Sequence, residues 1–480
     1  MSAIYPDDSI PLGNMTAVEL SVRAQKKFLQ QLLHAAGDSM TLSELPLQDA
    51  ETRTYLVPKP LEDVARRMSG LAADADWKAA VTGWGATHVN ILSTEAALRL
   101  LDIGRVKAVV THAVAPWSAP LEPVPQAAEG PRRTALPLQF QGPFDWHLEA
   151  CGIPQAWSMF AESGRHTDRL PWKDIRIAHI DTGFSEHVAL GWANGSSVTV
   201  HPQLGYDFFE PDADARDPFL PSGNPGHGTR TSSVIAGFDP AADGKPFYGA
   251  APGVMIIPYR VTDSVLIDHV KRLVAQAIED ALTKNCDVIS ISLGALFGSS
   301  HLASALDHAY EKGVIVVCAA GNYWSEVIYP GRYNRCVTMG GTGPNELPWG
   351  SSAAGPYVDL CGPAQQIRRV EPEPLPPGQA AAGYTGPVGT GTSYATTLCA
   401  GIAALWLAWH GEAQLNNYPQ PWMRAAAFKK LSRESAYRPA QWDTSRYGSG
   451  ILRADALLKL ALPMNPVKAL PAGDVYDPND

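Results

Sequence analysis

The chain has 480 residues, of which 45% are hydrophobic and 18% are charged, a composition typical of a globular protein with a large core. Its formal net charge of -10 argues against a nucleic-acid-binding surface. No stretch approaches the ~20 consecutive apolar residues that a membrane span requires. We therefore expect neither a nucleic-acid partner nor a membrane span.

Compartment and metal content follow from two further features. The N-terminal sequence MSAIYPDDSIPLGNM lacks the basic segment and apolar run of a signal peptide. This favours a cytoplasmic protein, with export by a route other than Sec left open. Six cysteines are spread singly without a Cys-x-x-Cys pair, so no zinc site is expected. Cys318 and Cys399 are predicted to be buried, reduced thiols.

Residues 1–115 are predicted to form an N-terminal helix followed by a small α+β unit. The helix begins after Thr16 and runs to about Ala36. The unit combines strands over 54–57, 87–92 and 106–113 with helices over 61–73 and 94–101, an order that fits a split βαβ sandwich. Residues 116–143 contain seven prolines and are predicted to be an extended linker.

Residues 144–462 alternate between apolar strands and amphipathic helices. The predicted strands cover 175–180, 256–261, 288–293 and 314–319, and the predicted helices include 265–284 and 302–312. This pattern indicates an α/β domain with a parallel sheet and helices on both faces. Ligands of such sheets bind at the carboxyl ends of the strands. Residues 463–480 are predicted to be a loosely held Pro-rich tail.

Three tripeptides place an acid, an imidazole and a hydroxyl beside small residues: Asp181-Thr182-Gly183, His227-Gly228-Thr229 and Gly391-Thr392-Ser393. These groups are the components of a nucleophilic serine site. The acid follows a predicted strand, and the other two lie at predicted helix starts. Taken singly, each has a structural alternative: a turn aspartate, a packed histidine or a helix N-cap.

From about residue 139 to 460, the chain resembles the subtilisin-like serine proteases, or subtilases. The matching segments are 175–183, 224–237, 248–261, 288–294, 314–322 and 389–405, and 447–458 resembles the closing helix of the family. The order Asp, His, Ser is the order known for subtilisin. In the serine motif, Tyr394 and Thr397 stand where the family usually has Met and Pro, and neither change removes a catalytic group.

The resemblance implies a subtilisin-like α/β fold and a serine endopeptidase that needs no cofactor. It implies a triad of Asp181, His227 and Ser393, with Asn322 donating its amide to the oxyanion. It also implies a substrate-binding edge formed by Ser292, Leu293 and Gly294. The second wall of the pocket is then formed by Ala319, Ala320 and Gly321. Protein or peptide substrates are the expected partners.

The N-terminal unit resembles a subtilase prodomain, which implies that it packs on the catalytic domain and controls it. Whether it is cleaved off or stays attached as a regulator is left open by the sequence. Two alternatives to a general endopeptidase remain: a catalytically silent binding module and a dedicated maturation protease for one partner. The acidic segment Glu210, Asp212, Asp214 and Asp217 could bind calcium, but a solvated loop is favoured and no metal site is predicted.

Overall fold

The computed structural model describes residues 140–164, 169–221, 223–463 and 468–474, together with strand residues 11–12, 15–16, 53–58, 86–90 and 110–113. In the N-terminal part, Arg53–Pro58 pairs antiparallel with Ala86–Asn90 on one side and with Val110–Ala113 on the other. These strands overlap the three predicted for the α+β unit. The helices predicted over 61–73 and 94–101 lie outside the described residues.

The residue at which the N-terminal helix is predicted to begin lies in a strand instead. Pro11–Leu12 pairs with Met15–Thr16 in a two-stranded ladder, so Thr16 is part of a strand rather than a helix cap. The rest of that predicted helix lies outside the described residues.

The catalytic-domain candidate is built on seven parallel strands, β1 to β7 in chain order: Arg176–Asp181, Tyr206–Asp207, Met255–Arg260, Val288–Ile291, Ile315–Ala319, Val337–Thr342 and Leu360–Pro363. Their order in the sheet is β7-β6-β5-β4-β1-β3-β2, with every neighbouring pair parallel. The chain therefore changes direction across the sheet between β1 and β4. At such a switch point the carboxyl ends of the two strands form a crevice that can hold a ligand.

Helices cover both faces of this sheet. In chain order, α1 to α10 span Trp146–Ala150, Ile153–Glu162, His227–Ala236, Lys271–Thr283, Ser300–Glu311, Thr392–His410, Glu412–Leu415, Trp422–Glu434, Thr444–Tyr447 and Ala454–Lys459. Ile177 and Val317 face one buried cluster with α3 and α6, whereas Ile180 and Val316 face a second cluster with α4 and α5. Burial on both faces explains why these strands are apolar throughout.

Shorter elements complete the domain. They comprise the hairpin Ile367–Glu371 with Gly383–Gly389, the pairs Trp192–Ala193 with Ser196–Ser197 and Phe238–Asp239 with Phe247–Tyr248, and the 3-10 turns Val188–Leu190, Pro202–Leu204 and Ala242–Gly244. None of the helices in the described ranges is long and apolar enough to cross a membrane.

The four predicted sheet strands are confirmed as β1, β3, β4 and β5, whereas β2, β6 and β7 were not predicted. A Cβ added to Gly340 would lie 2.8 Å from Cys361 Sγ, and one added to Gly341 would lie 2.6 Å from Ala364 Cβ. Glycines let the neighbouring β7 and the residue after it approach closely. They also dilute the apolar alternation by which strands are predicted.

Residues near the end of the chain are held more firmly than the sequence suggests. Asn334 donates both its backbone N–H and its side-chain amide to the carbonyl of Gly473, at 3.0 Å each. Tyr357 donates to the backbone carbonyl of Asp474 at 2.7 Å, and Tyr329 donates to the Asp474 carboxylate. The prediction of a loosely held tail is therefore wrong for residues 473–474.

Candidate active site

Asp181 and His227 meet at the carboxyl end of β1. Asp181 is the last residue of β1, and His227 is the first residue of α3. A Cβ on Gly228 would lie 2.0 Å from the carbonyl oxygen of Gly183, so only glycine lets the helix start approach the Asp turn this closely. The close approach of the two turns therefore accounts for the glycine in each tripeptide.

The imidazole of His227 is fixed by a short hydrogen bond. Its Nδ1 lies 2.6 Å from Oδ1 of Asp181, which is completely buried. Because an ionised carboxylate can only accept, Nδ1 carries the proton and Nε2 has a free lone pair. Burial of Asp181 would by itself raise its pKa, but the positive charge that His227 carries when protonated and the hydrogen bond from its ring outweigh that effect and hold the pKa below its ordinary value.

Asp217 links the turns that carry Asp181 and His227. One of its carboxylate oxygens accepts from Thr182 Oγ1 at 2.8 Å and from the backbone N–H of Gly226 at 2.7 Å. Thr182 Oγ1 in turn accepts from the N–H of Gly228 at 3.1 Å. Burial raises the pKa of Asp217, and these hydrogen bonds oppose that rise.

The rest of the acidic segment is paired with arginine or backbone. Glu210 bonds to Arg260 at 2.7 Å, and Asp214 bonds to Arg216 at 2.9 Å. Asp212 accepts from the backbone N–H of Asp214 at 2.7 Å. Across the described ranges, no group of three or more His, Cys, Asp and Glu side chains is arranged to hold a metal ion.

His179 is a second histidine beside the same carboxylate, and sequence reasoning missed it. It lies two residues before Asp181 on β1, with its Nε2 3.8 Å from Asp181 Oδ2 and 2.9 Å from Thr231 Oγ1. The Thr231 hydroxyl donates to the carbonyl of His227 at 2.8 Å, so it accepts from His179 Nε2–H. Burial lowers the pKa of His179, which favours the neutral ring. Its N–H therefore joins the strand of the acid to the helix of the base.

A sequence signal for His179 was available. Side chains two residues apart on a strand share a face. A polar residue two positions before Asp181, in an otherwise apolar strand, is therefore predicted to face the same helix as that acid.

Ser393 is the second residue of α6 and is 6% exposed. Its hydroxyl donates to the carbonyl of Ser292 at 3.4 Å, and within the described part of the chain it forms no hydrogen bond to His227. Its backbone N–H has no intrahelical acceptor, since it lies in the first turn of the helix, and no described residue accepts from it. This N–H is thus available to a ligand at the positive end of the helix dipole.

Asn322 is oriented by the residue before Ser393. Its Oδ1 accepts from both the backbone N–H and the hydroxyl of Thr392, at 2.8 Å each. The amide nitrogen is consequently the end left to donate, and it lies 3.3 Å from the position of a Cβ on Gly391. The structure thus brings Asn322 next to the turn that carries Ser393.

The two predicted substrate walls flank the same helix start. Ser292, Leu293 and Gly294 follow β4, while Ala319 ends β5 and Ala320 and Gly321 follow it. Ser292 Oγ donates to the carbonyl of Ser393 at 3.2 Å, and Gly321 N–H donates to Thr392 Oγ1 at 3.3 Å. Both walls therefore border the start of α6, and their role in binding substrate stays a prediction.

The backbone groups of Gly294 with which a substrate strand would pair are already hydrogen-bonded. Gly294 donates its N–H to Val265 and accepts from the N–H of Ile267, both at 2.9 Å. A substrate strand can therefore pair with Gly294 only if residues 265–267 move away. The same pairing explains why α4 begins at Lys271, six residues later than predicted.

All six cysteines are buried and none forms a disulfide, which confirms the prediction for Cys318 and Cys399. Burial raises the pKa of the Cys286 thiol to about 12. A cysteine that is buried and protonated cannot act as a nucleophile. Among the described residues, Ser393 rather than a thiol is therefore the candidate nucleophile at the strand ends.

Comparisons with known proteins identify the family of the chain. Residues 173–450 match the model of the Subtilase family. The chain is similar to subtilisin E of Bacillus subtilis, at 27% identity over 65% of this chain and 72% of that protein. It is similar to thermitase of Thermoactinomyces vulgaris, at 30% identity over 55% of this chain and 81% of that protein.

Among solved structures, a protease from Pseudoalteromonas arctica matches the fold. The TM-score is 0.51 at 22% identity, and the match covers 64% of this chain and 93% of that chain. At this identity the likeness concerns the fold alone. Together with the seven-stranded parallel sheet, it confirms the predicted fold class.

Proposed function

Since this chain belongs to the subtilase family and is a serine-type endopeptidase, we propose that Ser393 is its nucleophile, His227 its base and Asp181 the acid that orients the base. The observation that carries the proposal is the 2.6 Å bond between His227 Nδ1 and Asp181 Oδ1. That bond puts the proton on Nδ1 and leaves Nε2 free to accept one. A serine hydroxyl needs such an acceptor because it is a weak nucleophile near neutral pH.

Acylation then proceeds in two steps. Ser393 Oγ attacks the carbonyl carbon of the scissile bond, and its proton passes to His227 Nε2. The negative charge that forms on the carbonyl oxygen is stabilised by the N–H of Ser393 and the amide of Asn322. When the intermediate collapses, His227 gives its proton to the leaving amine and an acyl-enzyme remains.

Deacylation repeats the sequence with water. His227 takes a proton from water, the resulting hydroxide attacks the acyl carbon, and the proton returns to Ser393 Oγ as the carboxylate product leaves. No cofactor takes part in this scheme. Before the first attack, the Ser393 hydroxyl has to turn from the carbonyl of Ser292 towards His227.

Covalent labelling tests the nucleophile directly. We expect a fluorophosphonate probe to label the wild-type chain and not the Ser393→Ala variant, with both folded as judged by circular dichroism. Equal labelling of both proteins would show that Ser393 is not the reactive group. Absence of labelling in a folded wild type would favour a silent binding module.

Substrate scope and N-terminal control need separate measurements. Cleavage of a mixed peptide library at many sites supports a general endopeptidase, whereas cleavage confined to one sequence supports a dedicated maturation protease.

For regulation, we propose that residues 1–115 control the catalytic domain, because strands of the predicted α+β unit are formed. If intact-mass measurements show the same full length for wild type and Ser393→Ala, self-processing is excluded, and a permanently attached regulator remains.

A further inference from the structure

The side chain of Ile328 fills the space between the two walls beside Ser393. A Cβ added to Gly294 would lie 2.1 Å from Ile328 Cδ1, and one added to Gly321 would lie 2.9 Å from the same atom. Because carbon atoms in contact are about 3.5–4 Å apart, Cδ1 occupies the place that side chains on either wall would take. The two glycines are therefore separated by one isoleucine side chain.

Backbone hydrogen bonds hold this isoleucine between the walls. The N–H of Ile328 donates to the carbonyl of Ala320 on one wall at 3.0 Å. The next residue, Tyr329, exchanges two hydrogen bonds with Ala295, beside the other wall, at 2.7 and 2.8 Å. Residues 328–329 thus bridge the base of the space between the strand ends.

Two further features keep the isoleucine in place. The hydroxyl of Tyr329 donates to the buried carboxylate of Asp474, which anchors the segment from behind. Isoleucine is also branched at Cβ, which restricts its χ1 rotation. Ile328 is 9% exposed, so a small part of its side chain remains accessible to a ligand. These contacts are those of a fixed floor rather than a movable gate.

We propose that Ile328 makes the pocket for the residue before the scissile bond shallow, so that the enzyme cleaves after alanine and glycine and not after large residues. This rests on the proposed function of Ser393 and the two walls. A methyl group can pack on Cδ1 of Ile328, but a leucine or phenylalanine side chain would have to occupy the volume that Ile328 fills. Overpacking of that kind is strongly unfavourable.

The chemistry of the floor narrows the substrate class further. Ile328 offers only carbon atoms, and Trp324 Cδ1 lies 3.4 Å from the Cβ position on Gly321. A charged side chain would lose hydration in contact with these carbon atoms, which cannot form hydrogen bonds with it. The substrates expected are therefore chains with a small, uncharged residue before the cut.

A matched set of peptides tests this specificity. The peptides are identical except for Gly, Ala, Leu, Phe or Lys before the scissile bond, and kcat/KM is measured for each. One methylene in an apolar pocket changes kcat/KM about 10- to 200-fold, so we expect the wild type to favour Ala over Phe by at least ~100-fold. Ile328→Gly should reverse or abolish that preference, and Ile328→Val should give an intermediate ratio.

Val327→Ala is the control for loss of volume in the same segment. Val327 packs with Ala353, Val358 and Cys361 and behind Ala320 of one wall, so its truncation loses volume in this segment while Ile328 stays in place, and it should leave the Ala-to-Phe ratio close to that of the wild type. Fluorophosphonate labelling of each variant establishes that it is folded and active. If Ile328→Gly does not fold, the ratio measured for Ile328→Val decides the question.

Two results would overturn the inference. One is efficient cleavage after Leu or Phe by the wild type. The other is an Ala-to-Phe ratio that stays constant in the labelled Ile328 variants. Either outcome would leave the proposed triad standing, since the peptides were cleaved. A wild type that neither reacts with the probe nor cleaves any peptide would instead refute the proposed function.

Discussion

Asn322→Ala should remove one of the two proposed oxyanion donors. In the structure, the Oδ1 of Asn322 is held by the backbone and hydroxyl of Thr392, which leaves the amide nitrogen as the free donor. Loss of one such donor costs about 3–4 kcal/mol of transition-state stabilisation. We therefore expect kcat to fall by roughly 10²- to 10³-fold. KM should change little, because the interaction forms mainly in the transition state.

The hydrogen bonds to Thr392 allow the donor role to be separated from a structural role. Asn322→Asp keeps an oxygen that accepts from Thr392 but replaces the amide with a second acceptor. We expect this variant to lose at least as much activity as Asn322→Ala while retaining more thermal stability. Thr392→Val removes the hydroxyl bond to Asn322 and the bond that the hydroxyl accepts from the Gly321 N–H, but keeps the backbone bond to Asn322, so its loss of kcat should be smaller.

The assay measures kcat and KM on one peptide with alanine before the cut. Active-site concentration is determined for each variant by titration with a fluorophosphonate. A folded Asn322→Ala variant with less than about a fivefold loss of kcat would refute the oxyanion role. So would an Asn322→Asp variant with wild-type activity, because a carboxylate cannot donate to an oxyanion.

Three further predictions concern residues around the site. His187 is buried, and burial lowers its pKa from 6.5 to about 4. The unfolded chain therefore binds more protons in that interval, and the free energy of unfolding should fall by roughly 3 kcal/mol from pH 6.5 to 4 because of this residue. His187→Asn, made in the Ser393→Ala background and followed by urea unfolding, should remove that part of the slope, whereas the exposed control His301→Asn should not; equal slopes in all three proteins would contradict the assignment. His179→Phe removes the N–H between Thr231 and Asp181, so kcat should fall about tenfold at unchanged KM, and a wild-type kcat would exclude a positioning role. Asp217→Ala loses hydrogen bonds from Thr182, Phe219 and Gly226 and should lower the free energy of unfolding by about 3 kcal/mol; a thermal midpoint equal to that of the wild type would show that these bonds do not stabilise the fold.

The sequence predicts the elements that carry the proposed triad because their signals are local. An apolar run before Asp181, a glycine on each side of His227 and a helix after Ser393 can each be recognised within about ten residues. The four predicted strands, β1, β3, β4 and β5, are found in the structure. Their shared carboxyl edge follows from the rule that parallel strands of such a sheet present ligands at that edge.

Other features of the site depend on contacts between distant parts of the chain. Asp217 appeared to belong to a solvated acidic loop, yet it joins the turns that carry Asp181 and His227. Residues 265–267 resembled the start of a helix, but they pair with Gly294 instead. The tail at Asp474 supports Tyr329 across 145 positions of sequence. No local pattern predicts such pairings.

The sequence by itself therefore determined the chemical groups and their order, whereas the tertiary structure decided the shape of the space beside them. Ile328 is the clearest example. In the sequence it is one more apolar residue, and its position between Gly294 and Gly321 appears only when the loop after β4 meets the loop after β5 at the strand ends. The chemistry of the site follows from the residue types at the ends of strands and the starts of helices, which local sequence patterns predict. Pocket size follows from the packing of side chains from different segments, which only the folded chain brings into contact.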